Sequence, residues 1–253
     1  SINVGFRMLK EGKIDSFASA GNTGVMLVGS FYEIGVVQGL LRPTTTALVP
    51  KENGGSAVLL DVGTNPDVKP DVLNQFAVLG SIYAESLLGI KNPRVALLNI
   101  GSEDKKGNIL LQSTFPLLRE NKEINFVGNI EGRDIFENNC DVIVCDGFVG
   151  NVVLKTTEGV ASFVFDILKE TFTKNLRAKI GAGILKPYLK EMKNRLDYTQ
   201  YGGAPLLGIN GVVIISHGSS NSTAIINAIR VARNAVNNNI VGLIEDEINR
   251  DGE

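Results

Sequence analysis

The 253-residue sequence has no tryptophan, one histidine and two cysteines. So few cysteines exclude a disulfide scaffold, and a lone histidine leaves a zinc site or a Cys/His nucleophile pair without its parts. No metal and no cofactor is expected. Cys140 and Cys145 sit on what reads as one strand, so they are expected to face opposite sides roughly 16 Å apart at ~3.3 Å per residue, too far to bridge. With 25 basic against 27 acidic side chains the net charge is −2, without the cationic excess that nucleic-acid binding uses to release counterions. No apolar run approaches the ~20 residues of a membrane-spanning helix, and nothing at the start reads as a signal peptide. A soluble, cytoplasmic protein is expected. The phosphate loop GxxxxGK[ST], the nucleophile elbow GxSxG and a clean GxGxxG after a strand are also missing.

What is present is an alternation. Short β-branched runs at 14–18, 58–61, 95–100, 125–128, 142–146 and 212–216 alternate with amphipathic stretches at 25–34, 71–88, 109–119, 151–176, 187–198 and 221–247. That pattern predicts a parallel α/β sheet with helices on both faces. The opening INVGFRMLKEG reads as the middle of an element, so an N-terminal portion of the domain is expected to be absent from this sequence.

Each strand runs into a polar glycine loop: AGNTG (20–24), DVGTNPD (61–67), NIGSEDKKG (99–107), GNIEGRD (128–134), CDGFVGN (145–151) and SHGSSNS (216–222). Ligands of open α/β sheets bind beyond the carboxyl ends of the strands. Glycine lets backbone approach an anion closely, and a following helix presents unpaired N–H groups to it. The same residues are ordinary turn and capping residues. Six such loops at one end of a sheet point to a small anionic ligand. His217 could be a general base or a residue that only caps the next helix.

In order and spacing, SAGNTG, LDVGTNPD, RVALLNIGSEDKKG, INFVGNIEGRD, VCDGFVGNVVLK, YGGAPLLG and SHGSSN resemble the PlsX-type phosphate acyltransferases of bacterial phospholipid synthesis. The family's first strand and its Asp-Ala-Met-Gly-Gly-Asp loop have no counterpart here. The resemblance implies a Rossmann-like parallel or mixed sheet, similar to phosphotransacetylases and to isocitrate and isopropylmalate dehydrogenases, and a homodimer. It implies transfer of a fatty acyl group from the thioester of acyl carrier protein to inorganic phosphate. Such a reaction needs no activated nucleophile, because phosphate is already an ionised oxygen. A thiolate with a parent pKa near ~8.5 leaves with little help. What remains is positioning and oxyanion stabilisation.

That requirement selects residues. Lys106 is expected to neutralise phosphate or the oxyanion, with Lys105 as its alternate. Asn151 could donate its amide to the carbonyl oxygen or cap a helix, roles that are compatible. Asn22, Thr23 and Gly24, with Gly218 and Ser219 beside His217, are expected to cradle phosphate, and Asn65, Asn129 and Asp146 to shape the pocket. Two other readings stay open: a phosphotransacetylase acting on coenzyme A thioesters, and a non-catalytic module that docks carrier protein or membrane.

The remaining feature is basic. Residues 174–195 hold seven of the 25 basic side chains and only one of the 27 acidic ones. In their middle IGAGILKPYL (180–189), interrupted by Gly181, Gly183 and Pro187, reads as the turn of a helical hairpin. The chain is therefore expected to be one α/β catalytic domain over 1–253 with a helical hairpin lobe protruding at 158–198. Lys179, Ile184, Leu185, Lys186 and Lys190 would meet a twin subunit, acidic acyl carrier protein or an anionic membrane.

Overall fold

The computed structural model describes residues 1–196 and 203–250. The helices are α1 (Ile2–Lys10), α2 (Thr23–Gly29), α3 (Pro70–Leu88), α4 (Ile109–Glu120), α5 (Gly147–Thr173), α6 (Leu176–Leu196), α7 (Ser222–Asn237) and α8 (Ile240–Arg250). The strands are β1 (Ser16–Ser19), β2 (Thr44–Pro50), β3 (Ser56–Leu60), β4 (Arg94–Asn99), β5 (Asn125–Glu131), β6 (Val142–Val144), β7 (Ala204–Leu207) and β8 (Val212–Ile215). They form one sheet in the order β1-β8-β7-β2-β3-β6-β4-β5.

The sheet is mixed. Strands β3, β6, β4 and β5 are mutually parallel, as are β1 and β8. Between these blocks the pairings β8–β7, β7–β2 and β2–β3 are each antiparallel. Three reversals leave β1 and β8 running against the β3 block. The six glycine loops therefore do not share one edge, as a purely parallel sheet would require. The reading of the sequence passed over both joining strands, TTTALVP and APLL.

Alternation along the strands sorts the core into faces. Val58, Leu60, Val95, Leu97, Val142 and Val144 join one buried cluster with Phe76 of α3, Leu118 of α4 and Ala228 of α7. Ala57, Leu59, Ala96, Leu98 and Ile143 point the other way into a second cluster. Beyond β2, Leu207, Val212 and Ile214 continue the first cluster, whereas Leu206, Val213 and Ile215 build a third with Phe6 and Met26. One face thus carries a continuous apolar layer. The other carries two, to which β2 adds Val49 and β7 adds Leu206.

Three local expectations change. Cys140 and Cys145 both pack into the second cluster, because β6 spans only Val142–Val144 and Cys140 precedes it. Both are free thiols, and burial pushes that of Cys140 up to about 11. The final helical stretch is two helices, broken where Asn239 takes a left-handed φ of 49°. The segment 180–189 is not a turn. It lies inside α6 with Pro187, and the break from α5 falls at Lys174–Asn175.

Candidate active site

A cleft of about 340 Å³ opens beside β2 and β7. Thr45, Thr46, Ala47 and Leu48 of β2 line it with Ala204 of β7 and Ile215 of β8. One wall is the start of α5, with Asn151, Leu154, Lys155 and Glu158. The other is Thr23 of α2 with the loop from Ser216 to Ser220 that leads into α7.

The α5 wall is positioned by a buried carboxylate. Asp61, fully buried at the end of β3, accepts hydrogen bonds through Oδ1 from Thr45 Oγ1 (3.1 Å) and from the N–H groups of Gly63 (3.1 Å) and Thr64 (3.0 Å). Its Oδ2 accepts from Asn65 N–H (2.6 Å) and Asn65 Nδ2 (2.7 Å). This shapes 61–65 into a tight loop against which α5 begins. Asp146 caps α5 by accepting from Val149 N–H at 2.8 Å. Gly147 and Gly150, three apart and hence on one helical face, make the approach possible. A Cβ on Gly147 would stand 2.9 Å from Asn65 backbone, and one on Gly150 only 1.9 Å from the Asp61 carbonyl oxygen. The consequence is that Asn151 lies over Gly63, whose φ of 121° only glycine adopts freely.

The opposite wall is a pair of capped helix starts. Asn22 Oδ1 accepts from Val25 N–H at 3.1 Å, and Asn221 Oδ1 accepts from Ala224 N–H at 2.9 Å. Gly218 brings the second loop beside the first: a Cβ on it would lie 3.9 Å from the Ala20 carbonyl oxygen. His217 Nδ1 accepts the Ser219 N–H at 3.2 Å and lies 2.6 Å from Ser219 Oγ. A backbone N–H can only donate, so Nδ1 is an acceptor and the neutral ring carries its proton on Nε2.

The expected residues divide accordingly. Thr23, Asn151, His217 and Ser219 line the cleft, and Asn22, Gly24 and Gly218 belong to the same two loops. Asn65 and Asp146 lie underneath as supports, the Asn65 amide being committed to Asp61 and to the Pro43 carbonyl (2.7 Å). Lys105, Lys106 and Asn129 belong to the rim of β4 and β5 and do not line the cleft. There Lys106 Nζ is 3.7 Å from Glu103 Oε1, and Asn129 Nδ2 donates to the Glu103 carbonyl at 2.9 Å. Lys179, Ile184, Leu185, Lys186 and Lys190 are exposed along α6, outside the cleft lining. No helix among the described residues is long and apolar enough to cross a membrane.

Sequence reasoning passed over Thr45, Asp61, Lys155, Glu158 and Ser216. For Lys155 and Glu158 a signal existed: they follow Asn151 by four and seven residues, the spacing of one helical face.

By fold the chain is in the phosphotransacetylase-like class of α/β proteins. It is similar to a phosphotransacetylase from Streptococcus pyogenes (TM-score 0.64, 17% identity, 93% of this chain and 67% of that one). A branched-chain phosphotransacylase from Enterococcus faecalis is comparable (TM-score 0.59, 14% identity, 93% and 78%). More narrowly, the chain belongs to the family described as fatty acid synthesis protein, the PlsX-type phosphate acyltransferases, which matches residues 1–242. A phosphate acyltransferase of Halothermothrix orenii is 58% identical over all of this chain and 76% of its own length. One from Bacillus licheniformis is 48% identical over 94% of this chain and 72% of its own length.

Proposed function

We propose that the chain transfers a fatty acyl group from the thioester of acyl carrier protein to inorganic phosphate. A phosphate oxygen attacks the thioester carbonyl, a C–O bond forms, and the tetrahedral oxyanion collapses with cleavage of the C–S bond. The electron pair leaves on sulfur, giving acyl phosphate and the carrier thiol. The observation that carries this reading is the cleft itself, which is lined on one side by two helix starts and His217 and on the other by an amide, Asn151. Helix starts and donors suit an anion, and Asn151 would meet the developing oxyanion. Lys106, on the neighbouring β4 rim, would contribute positive potential from outside the cleft. No base is needed, because phosphate is already an ionised oxygen.

Two assembly roles complete the proposal. Val152, Val160, Phe163, Val164 and Ile167 leave α5 with an exposed apolar face, which a second copy of the chain would cover. The cationic α6, with Ile184 71% and Leu185 42% exposed among lysines, would meet acidic carrier protein or an anionic lipid surface. The function is tested by phosphate-dependent release of free thiol from long-chain acyl carrier protein. Phosphate-independent release, or a preference for acyl coenzyme A, would refute the donor and acceptor named here.

A further inference from the structure

The unpartnered hydroxyl of Ser216 and the Lys155–Glu158 pair belong to the same cleft. We infer that Lys155 is the cation that seats phosphate, and that Glu158 holds it in reserve until phosphate arrives. This inference rests on the proposed reaction and names a residue to which neither the sequence nor the proposed chemistry gave a role.

Lys155 is the one lysine or arginine among the described residues lining the cleft. It stands one helical turn beyond Asn151 on the same wall, so an anion it binds lies within reach of a carbonyl held by Asn151. Its Nζ pairs with Glu158 Oε2 at 2.7 Å, with the side chains 51% and 23% exposed. As a purely structural pair this is a poor choice. Lysine precedes glutamate, the reverse of the order that favours a helix, and an exposed pair contributes little to stability. As a ligand-exchange pair it is well suited. Without phosphate the lysine is neutralised and positioned, and a dianion competes for it better than a single carboxylate.

An independent observation marks the opposite wall. Ser216 is 3% exposed, and its hydroxyl has no hydrogen-bond partner. A buried hydroxyl without a partner is costly, and a phosphate oxygen in the cleft would supply one. The hydroxyl of Thr45 is already committed to Asp61 and Thr64, and that of Ser219 to His217. Ser216 and Lys155 thus line the same cleft that would take the nucleophile.

The pair gives a signature that a structural role does not. With phosphate varied at saturating acyl carrier protein, Lys155→Gln should raise the KM for phosphate at least ten-fold and change the KM for the thioester by less than two-fold. Lys155→Arg should recover most of that loss. Glu158→Gln releases the lysine and should lower the KM for phosphate, the opposite sign. If Lys155→Gln leaves that KM within two-fold, or if both variants shift it the same way, the inference is wrong. Line broadening of inorganic phosphate in 31P NMR reads binding directly on the whole chain. Weaker broadening with Lys155→Gln supports the inference even if wild-type turnover with carrier protein fails, which would sink only the proposed function. Unchanged broadening overturns the inference while leaving that function standing.

Discussion

Replacing Gly150 by alanine sets two effects of opposite sign against each other. In an exposed helix interior the change would stabilise by about 1 kcal/mol, because glycine loses more backbone entropy on folding. At this position the new Cβ would stand 1.9 Å from the Asp61 carbonyl oxygen and 2.8 Å from Cys145 Sγ. The first distance is about 1.5 Å short of ordinary van der Waals contact, and the obstacle is backbone that cannot rotate away. Overpacking of this kind costs ~1–3 kcal/mol, so the net expectation is destabilisation by up to about 2 kcal/mol. Relief requires α5 to withdraw from the Asp61 loop and carry Asn151 with it. A displacement near 1 Å at a catalytic group can cost ~100-fold in rate. Gly159 is the control: it lies in the same helix, and a Cβ there would meet nothing within 4 Å. Urea unfolding should show Gly159→Ala as stable as the parent or more so, and Gly150→Ala less stable with kcat reduced by an order of magnitude or more. A Gly150→Ala variant with parental stability and turnover would refute the reasoning that the close approach positions the site.

Three further expectations concern the rim, the buried ion cluster and α6. Lys106→Ala and Asn151→Ala should leave the unfolding midpoint near the parent's, both side chains being exposed, while each lowers kcat at least ten-fold; a fully active double variant would remove both from the site. Burial raises the pKa of Asp141, but hydrogen bonds from Arg94 and Lys51, the latter at 2.5 Å, outweigh it and hold the carboxyl well below its usual range. Its contribution to stability is therefore present above the unfolded carboxylate value near ~3.9 and lost as pH falls below it; Asp141→Asn should flatten that acid limb in a pH series of denaturation midpoints, and an unchanged limb would contradict the assignment. Ile184→Asp with Leu185→Asp should abolish sedimentation with anionic vesicles if α6 meets lipid, and retained sedimentation would exclude that role.

What the sequence made legible follows from where the physics is local. The runs at 58–61 and 95–100 alternate between two buried faces, so period and composition announce them. TTTALVP and APLL do not: both carry proline, and the second spans only four residues. They are strands because they pair with each other and with β3 and β8, contacts distant in sequence. Because those two strands reverse the sheet, missing them also misplaced the loops onto one edge. Asn151 stood out as the amide closing the CDGFVGN loop at a helix start, whereas the helical spacing of Gly147 and Gly150 shows only once α5 is seen to begin at Gly147. Lys155 did not stand out, since a solvated helix face shows the same spacing, and only the cleft distinguishes them. Asp61 read as the end of a strand, and its role as the acceptor that shapes the 61–65 loop rests on bonds no motif displays.

The account depends on phosphate itself being the nucleophile. Incubating the whole protein with radiolabelled fatty acyl carrier protein in the absence of phosphate, then denaturing and separating it, should recover unlabelled enzyme and intact thioester, with thiol released only once phosphate is added. Label bound covalently to a side chain of this protein, and transferred to phosphate on its later addition, would contradict it.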